Sequence, residues 1–101
     1  MAFRVISAIA LGLTVFLAAC SSPSPKYMST EAVEQVISGV RFDVYRNQNN
    51  VQVIRLNGRL PGGYPSIKLA AIQAIEQATA CVVTPSSVEG DMEVIDAVVS
   101  C

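Results

Sequence analysis

The spacing of apolar and polar positions changes several times along this chain, and each change marks an element. From Val5 to Ala19 the run is apolar apart from Ser7, Gly12 and Thr14, with one basic residue, Arg4, in front and small residues at its exit. These fifteen positions fall short of the about 20 that a permanent bilayer span needs. No cluster of Lys or Arg follows to stop transfer. The run therefore reads as a cleaved export signal rather than a transmembrane helix. Further on, Val33, Val36, Ile37 and Val40 recur at helical spacing. Ser29 or Thr30 suits the N-cap, Glu31 and Glu34 suit the positive end of the dipole, and Gly39 suits the stop, which predicts a short helix over Thr30 to Ser38.

Arg41 to Leu56 changes to a strand pattern, two runs of β-branched and aromatic residues flanking Asn47-Gln48-Asn49-Asn50, and predicts a hairpin. A three-residue loop centred on Gln48 pairs Phe42 with Ile54 and Val40 with Leu56, which gives the cleaner apolar face. The same register sets Arg41 opposite Arg55, beside Asp43, on a solvated face. Asn57 to Pro65 is dense in residues that break regular structure. It is a connector, and Arg59 and Tyr64 are its candidate contacts if it serves as a binding loop.

The strongest periodicity lies in Ser66 to Ala80, where Ile67, Ala71, Ala74, Ile75 and Ala78 line one side of a helix that Pro65 or Ser66 suits at its start. Cys81 to Thr84 then reads as a strand, Pro85 to Asp91 as a turn, and Met92 to Ser100 as a final strand. Val98 and Val99 break its alternation, which suggests burial on both faces or a bulge. The expected fold class is α+β: a small antiparallel or mixed sheet with one main helix packed on it, plus the short N-terminal helix.

The apolar leader ends in Leu17-Ala18-Ala19-Cys20. These four residues resemble the lipobox of bacterial membrane lipoproteins: a branched apolar residue, two small residues, then the cysteine that becomes the mature N-terminus. The resemblance implies cleavage before Cys20, a diacylglyceryl thioether on its sulfur and a further acyl chain on its amine. Two or more chains make membrane attachment stable, whereas one holds only marginally. Ser21 in the following position leans towards the outer membrane, with the domain in the periplasm. Cleavage by the ordinary signal peptidase after Ala19 is the alternative and would release a soluble secreted protein. The organisation that follows is a signal peptide at 1–19, a lipidated tether at 20–28 and a small domain at 29–101. Two prolines and the serines of Ser21 to Lys26 suit an extended, solvated spacer of roughly 20 Å.

Composition narrows the function classes. The mature chain carries six basic and eight acidic residues, a formal charge of −2, which is not the footprint of a nucleic-acid binder. A domain this small buries only about 60 to 65% of its unfolded surface, so a staple is valuable. With Cys20 committed to lipid, Cys81 and Cys101 remain, and in an oxidising compartment they are expected to bridge. Two thiols without histidine do not complete a structural zinc site, and a separation of twenty residues is unlike a catalytic dithiol.

The chain contains no histidine, which removes triads built on an imidazole base. The pairs Glu89 with Asp91 and Glu93 with Asp96 lie in or beside a turn and read as solvated charges. No phosphate-loop or calcium-loop pattern is present, and no metal or cofactor is expected. The sequence thus points to a non-catalytic binding or structural domain held at a membrane by its N-terminal lipid, with an envelope protein as its candidate partner. A secreted or lipidated inhibitor of an envelope or host enzyme is the alternative.

Overall fold

The computed structural model describes residues 23–101. The leader and Cys20 lie outside the described residues. The strands are β1 (Val33–Ile37), β2 (Val40–Asn47), β3 (Asn50–Asn57), β4 (Val82–Val83), β5 (Glu89–Gly90) and β6 (Val94–Ser100), with one helix, α1 (Tyr64–Thr79), between β3 and β4. Two single 3-10 turns, Pro25–Tyr27 and Pro85–Ser87, complete the described residues. The strands form one sheet in the order β1-β2-β3-β6-β4, with β5 also on β6, and every pair is antiparallel.

This corrects the α+β expectation: the described residues are mostly sheet, curled as a half-barrel around a single α-helix. The predicted helix over Thr30 to Ser38 is instead the edge strand β1, joined to β2 by the two-residue turn Ser38-Gly39. Both turn residues have positive φ, 50° and 81°, the backbone that matches the twist of paired strands. Gly39 is therefore a hairpin residue and not a helix stop. Nine residues are also too few to sustain a helix by themselves, whereas Val33, Val36 and Ile37 are β-branched and find a ready partner strand in β2.

The β2–β3 hairpin exists as expected, but its register does not follow the odd loop. Its turn is the two-residue Gln48-Asn49, with Gln48 at φ 56°, so Val44 faces Val53 and Phe42 faces Arg55. The register then shifts between Arg41 and Phe42, because Arg41 lies opposite Asn57. The extra residue is Leu56, which bulges to the surface instead of joining Val40 in the core. Arg55 tolerates its place opposite Phe42 because acceptors close around it at the end of the sheet. Its Nε donates to the Met92 carbonyl (2.9 Å), its Nη1 to the Gly58 carbonyl (2.7 Å), and its Nη2 pairs with Glu93. Arg41 meets Glu34 of β1 instead, at 2.9 Å, in an exposed pair that contributes little to stability. Gly58 sits tight against the β1–β2 turn: a Cβ there would meet the Gly39 carbonyl and the Val40 Cα at 2.8 Å.

The inner face of the sheet holds Val40, Phe42, Val44, Val51, Val53, Ile95, Ala97 and Val99, and α1 packs across it through Ile67, Ala70, Ala71, Ala74 and Ile75. The helix touches β1 and β4, at the two ends of the strand order, as well as β2 and β3. The small alanines bring it close to the strands. β6 alternates strictly, with Ile95, Ala97 and Val99 inward and Val98 outward, so the adjacent valines need no bulge.

β4 and β5 share the edge of β6 that β3 leaves free. Ser87 closes the gap between them, its Oγ accepting from the Val98 N–H at 2.9 Å. Cys81 and Cys101 are bridged beside β4, with Cα atoms 4.6 Å apart.

Helix α1 ends at Ala80, which adopts φ 58° while its N–H donates to the Glu76 carbonyl at 3.0 Å. A Cβ in this left-handed backbone costs about 1 kcal/mol, and glycine removes that cost. Ala80→Gly is therefore expected to raise the unfolding free energy by about 1 kcal/mol, read as a higher denaturant midpoint with an unchanged slope.

Candidate functional site

The outer face of the sheet carries a polar row running across four strands: Tyr45 on β2, Gln52 on β3, Asp96 on β6 and Glu89 on β5. Strand alternation places it there, because Val51 and Val53 turn inward and leave Gln52 pointing out. Yet Gln52 is only 3% exposed. The N-terminal segment covers it. Pro23 to Thr30 lies against this face, with Tyr27, 1% exposed, as its buried plug.

The hydrogen bonds that hold the segment are specific. Gln52 Oε1 accepts from the Ser24 N–H (2.8 Å), while Gln52 Nε2 donates to Ser24 Oγ (2.8 Å) and to Asp96 Oδ1 (2.9 Å). All polar atoms of this buried amide are thus engaged, which is what makes its burial tolerable. Beyond Pro25, the Lys26 carbonyl accepts from Asn47 Nδ2 at 2.9 Å, and the Tyr27 carbonyl accepts from Thr30 Oγ1 at 2.7 Å. Lys26 Nζ stands 5.3 Å from the centre of the Tyr27 ring, within cation–π range. Ser24 to Lys26, read from the sequence as part of an extended, solvated spacer, are docked on the domain together with Tyr27, the next residue of the tether.

Beside the docked segment opens a polar cavity of about 330 Å³. Ser24, Lys26 and Tyr27 form one wall, and Asn50, Ser87, Glu89, Asp96 and Val98 the rest. Its side chains bring one ammonium, two carboxylates, one amide, two serine hydroxyls and a phenol. Such a set suits a polar ligand carrying both signs of charge. Among the described residues no cluster of three or more His, Cys, Asp or Glu side chains is placed to hold a metal ion.

Burial raises the Tyr27 phenol above its ordinary pKa, and the charge of Asp96 adds to the rise. Tyr45 is raised in the same way, by burial and by Asp43. Asp43 is itself raised, first by burial and then by Glu34, against the pull of Arg41. Asp91 is lowered, because its carboxylate accepts the backbone N–H groups of Val94 and Glu93. The acidic pairs noted in the sequence have separate tasks: Asp91 closes its turn, Glu93 pairs with Arg55, and Glu89 and Asp96 face each other across β5 and β6.

The candidate loop residues do not converge. Arg59 is exposed on the connector, whereas Tyr64 opens α1 and packs against the core. A second, shallower groove of about 370 Å³ lies nearby, but Leu60 and Pro61 line it with Ile37, Ser38, Leu69 and Gln73, without Arg59 or Tyr64. The sequence reading missed the outer-face cavity, and two signals could have found it: Tyr27, an aromatic directly after the Ser-Pro spacer, and Gln52, a glutamine between two valines of a strand.

Comparison with protein-family models, with characterised proteins and with solved structures finds no match to this chain.

Proposed function

We propose that this chain is a small envelope lipoprotein, anchored through lipid on Cys20, whose domain acts as a non-catalytic binding module at the membrane. The observation that carries the reading is Leu17-Ala18-Ala19-Cys20 at the end of an apolar leader. The lipid supplies attachment, since each buried methylene contributes about 0.8 kcal/mol. Ser21 favours the outer membrane, with the domain in the periplasm. Two features support binding over catalysis: the chain lacks an imidazole base, and the cavity beside Lys26 presents charges of both signs.

Cys20→Ser removes the acceptor thiol. The variant is expected to lose incorporation of a fatty-acid probe and to leave the membrane fraction or accumulate as uncleaved precursor. Labelling equal to that of the wild type would overturn the assignment.

A further inference from the structure

We propose that the face bearing the docked N-terminal segment is a membrane-docking surface, its cavity opening onto zwitterionic phospholipid headgroups. The proposal rests on the lipid-anchor reading, and chain length carries it further. Only residues 21–23 separate Cys20 from Ser24, whose N–H is bound to Gln52 of the sheet. At no more than about 3.6 Å per residue, the connection from Cys20 to Ser24 reaches roughly 14 Å. The lipidated residue therefore stays close to the outer face. The helix lies on the other side of the sheet, and a helix alone is about 10 to 12 Å across. Turning α1 towards the bilayer would demand that the segment unseat from Gln52 and Asn47.

The chemistry of the face agrees with this orientation. Met28, directly after the buried Tyr27, is 65% exposed, and Val98 is exposed at the cavity wall. Both offer apolar contact at the level of the headgroups. Lys26 pairs with a headgroup phosphate while its methylene stem stays against apolar surface. Glu89 and Asp96, on the opposite wall, receive a headgroup ammonium. A surface that recognises both ends of a zwitterion needs no anionic lipid, which fits a domain whose mature charge is negative.

The chain contains no tryptophan, so single-tryptophan variants report position directly. The test uses the lipidated mature protein with Val98→Trp or Met28→Trp, and Leu69→Trp on the outward side of α1, where Leu69 is 70% exposed. Each is placed in vesicles of phosphatidylethanolamine and phosphatidylcholine brominated near the headgroup. Val98→Trp and Met28→Trp are expected to shift to the blue and lose most of their emission, while Leu69→Trp keeps its own. Adding Lys26→Gln and Glu89→Gln to Val98→Trp is expected to restore emission while the lipid keeps the protein in the vesicles; Asp96 is left intact because it supports Gln52.

Equal quenching at Leu69 would overturn the orientation. Quenching that appears only when anionic lipid is added, or that ignores the double substitution, would overturn the headgroup assignment. Probe incorporation at Cys20 is read on the same samples: its absence refutes the anchor, and its presence with the wrong quenching pattern refutes the docking surface alone.

Discussion

Reducing the Cys81–Cys101 bridge is expected to lower the unfolding free energy by about 3 kcal/mol, the chain-entropy value for closing a loop of this length. The sequence separation is 20 and the Cα atoms are 4.6 Å apart. The loss matters more here than in a larger protein, because a domain of this size has a total stability of only about 5 to 15 kcal/mol at best. It also has a location. β4 is two residues long, and beyond its pairing of Val82 with Ser100 and Val83 with Val99 it is tied to the helix by one bond, the Val83 N–H donating to Glu76 Oε2 at 3.0 Å. Without the bridge, β4 and the end of β6 are expected to open first. Amide exchange at Val83 and Ser100 should accelerate before that of Val53 or Val44, and thermal melting with and without reductant measures the global loss. A melt unchanged by full reduction would show that core packing alone holds this edge.

Where the sequence was legible, the reason was local. Helix α1 declared itself because Ile67, Ala71, Ala74 and Ile75 repeat at helical spacing, behind a proline suited to a first turn. The bridge was legible through cysteine count. β1 was misread because its signals serve both structures: Glu31 and Glu34 suit a helix start, and Gly39 suits either a helix stop or a tight turn. What decided it was pairing with β2, an interaction that a nine-residue window does not contain.

The hairpin register failed for a related reason. Choosing it by apolar matching made Arg55 a solvated residue and Leu56 a core residue, whereas the structure turns Leu56 to the surface and holds Arg55 half-buried at the end of the sheet. Two of the three acceptors that make room for Arg55, Met92 and Glu93, lie almost forty residues later. The outer-face cavity was hidden in the same way, because its walls come from residues 24–27, 50, 87–89 and 96–98 and no local pattern joins them. Its traces in the sequence were Tyr27, an aromatic at the end of a Ser-Pro spacer, and Gln52, a glutamine between valines.

Tyr27 is accordingly the residue whose removal should separate anchor from domain. Truncating a fully buried aromatic typically costs about 3 to 5 kcal/mol, and Tyr27→Ala is expected at the low end, about 3 kcal/mol, because the N-terminal segment can detach without opening the inner core. Detachment also exposes Gln52, whose partners Ser24 and Asp96 lie on either side of it. The variant should therefore show rapid exchange and proteolytic cutting between residues 24 and 30 while α1 and β2 stay protected. Tyr27→Phe keeps the plug and should cost far less.

The phenol adds a pH signature whose sign follows from its raised pKa. A phenol that stays protonated more readily in the folded state contributes stability that is fully present below its unfolded pKa of about 10 and is lost as pH rises through the folded value. Tyr45 is raised as well and should act in the same direction. The wild type should thus lose stability above about pH 10, Tyr27→Phe should lose less, and Tyr27→Phe with Tyr45→Phe should flatten the alkaline limb further. Denaturant midpoints taken between pH 8 and 11 read this directly, and an alkaline limb as steep in the double variant as in the wild type would exclude the two phenols as its source.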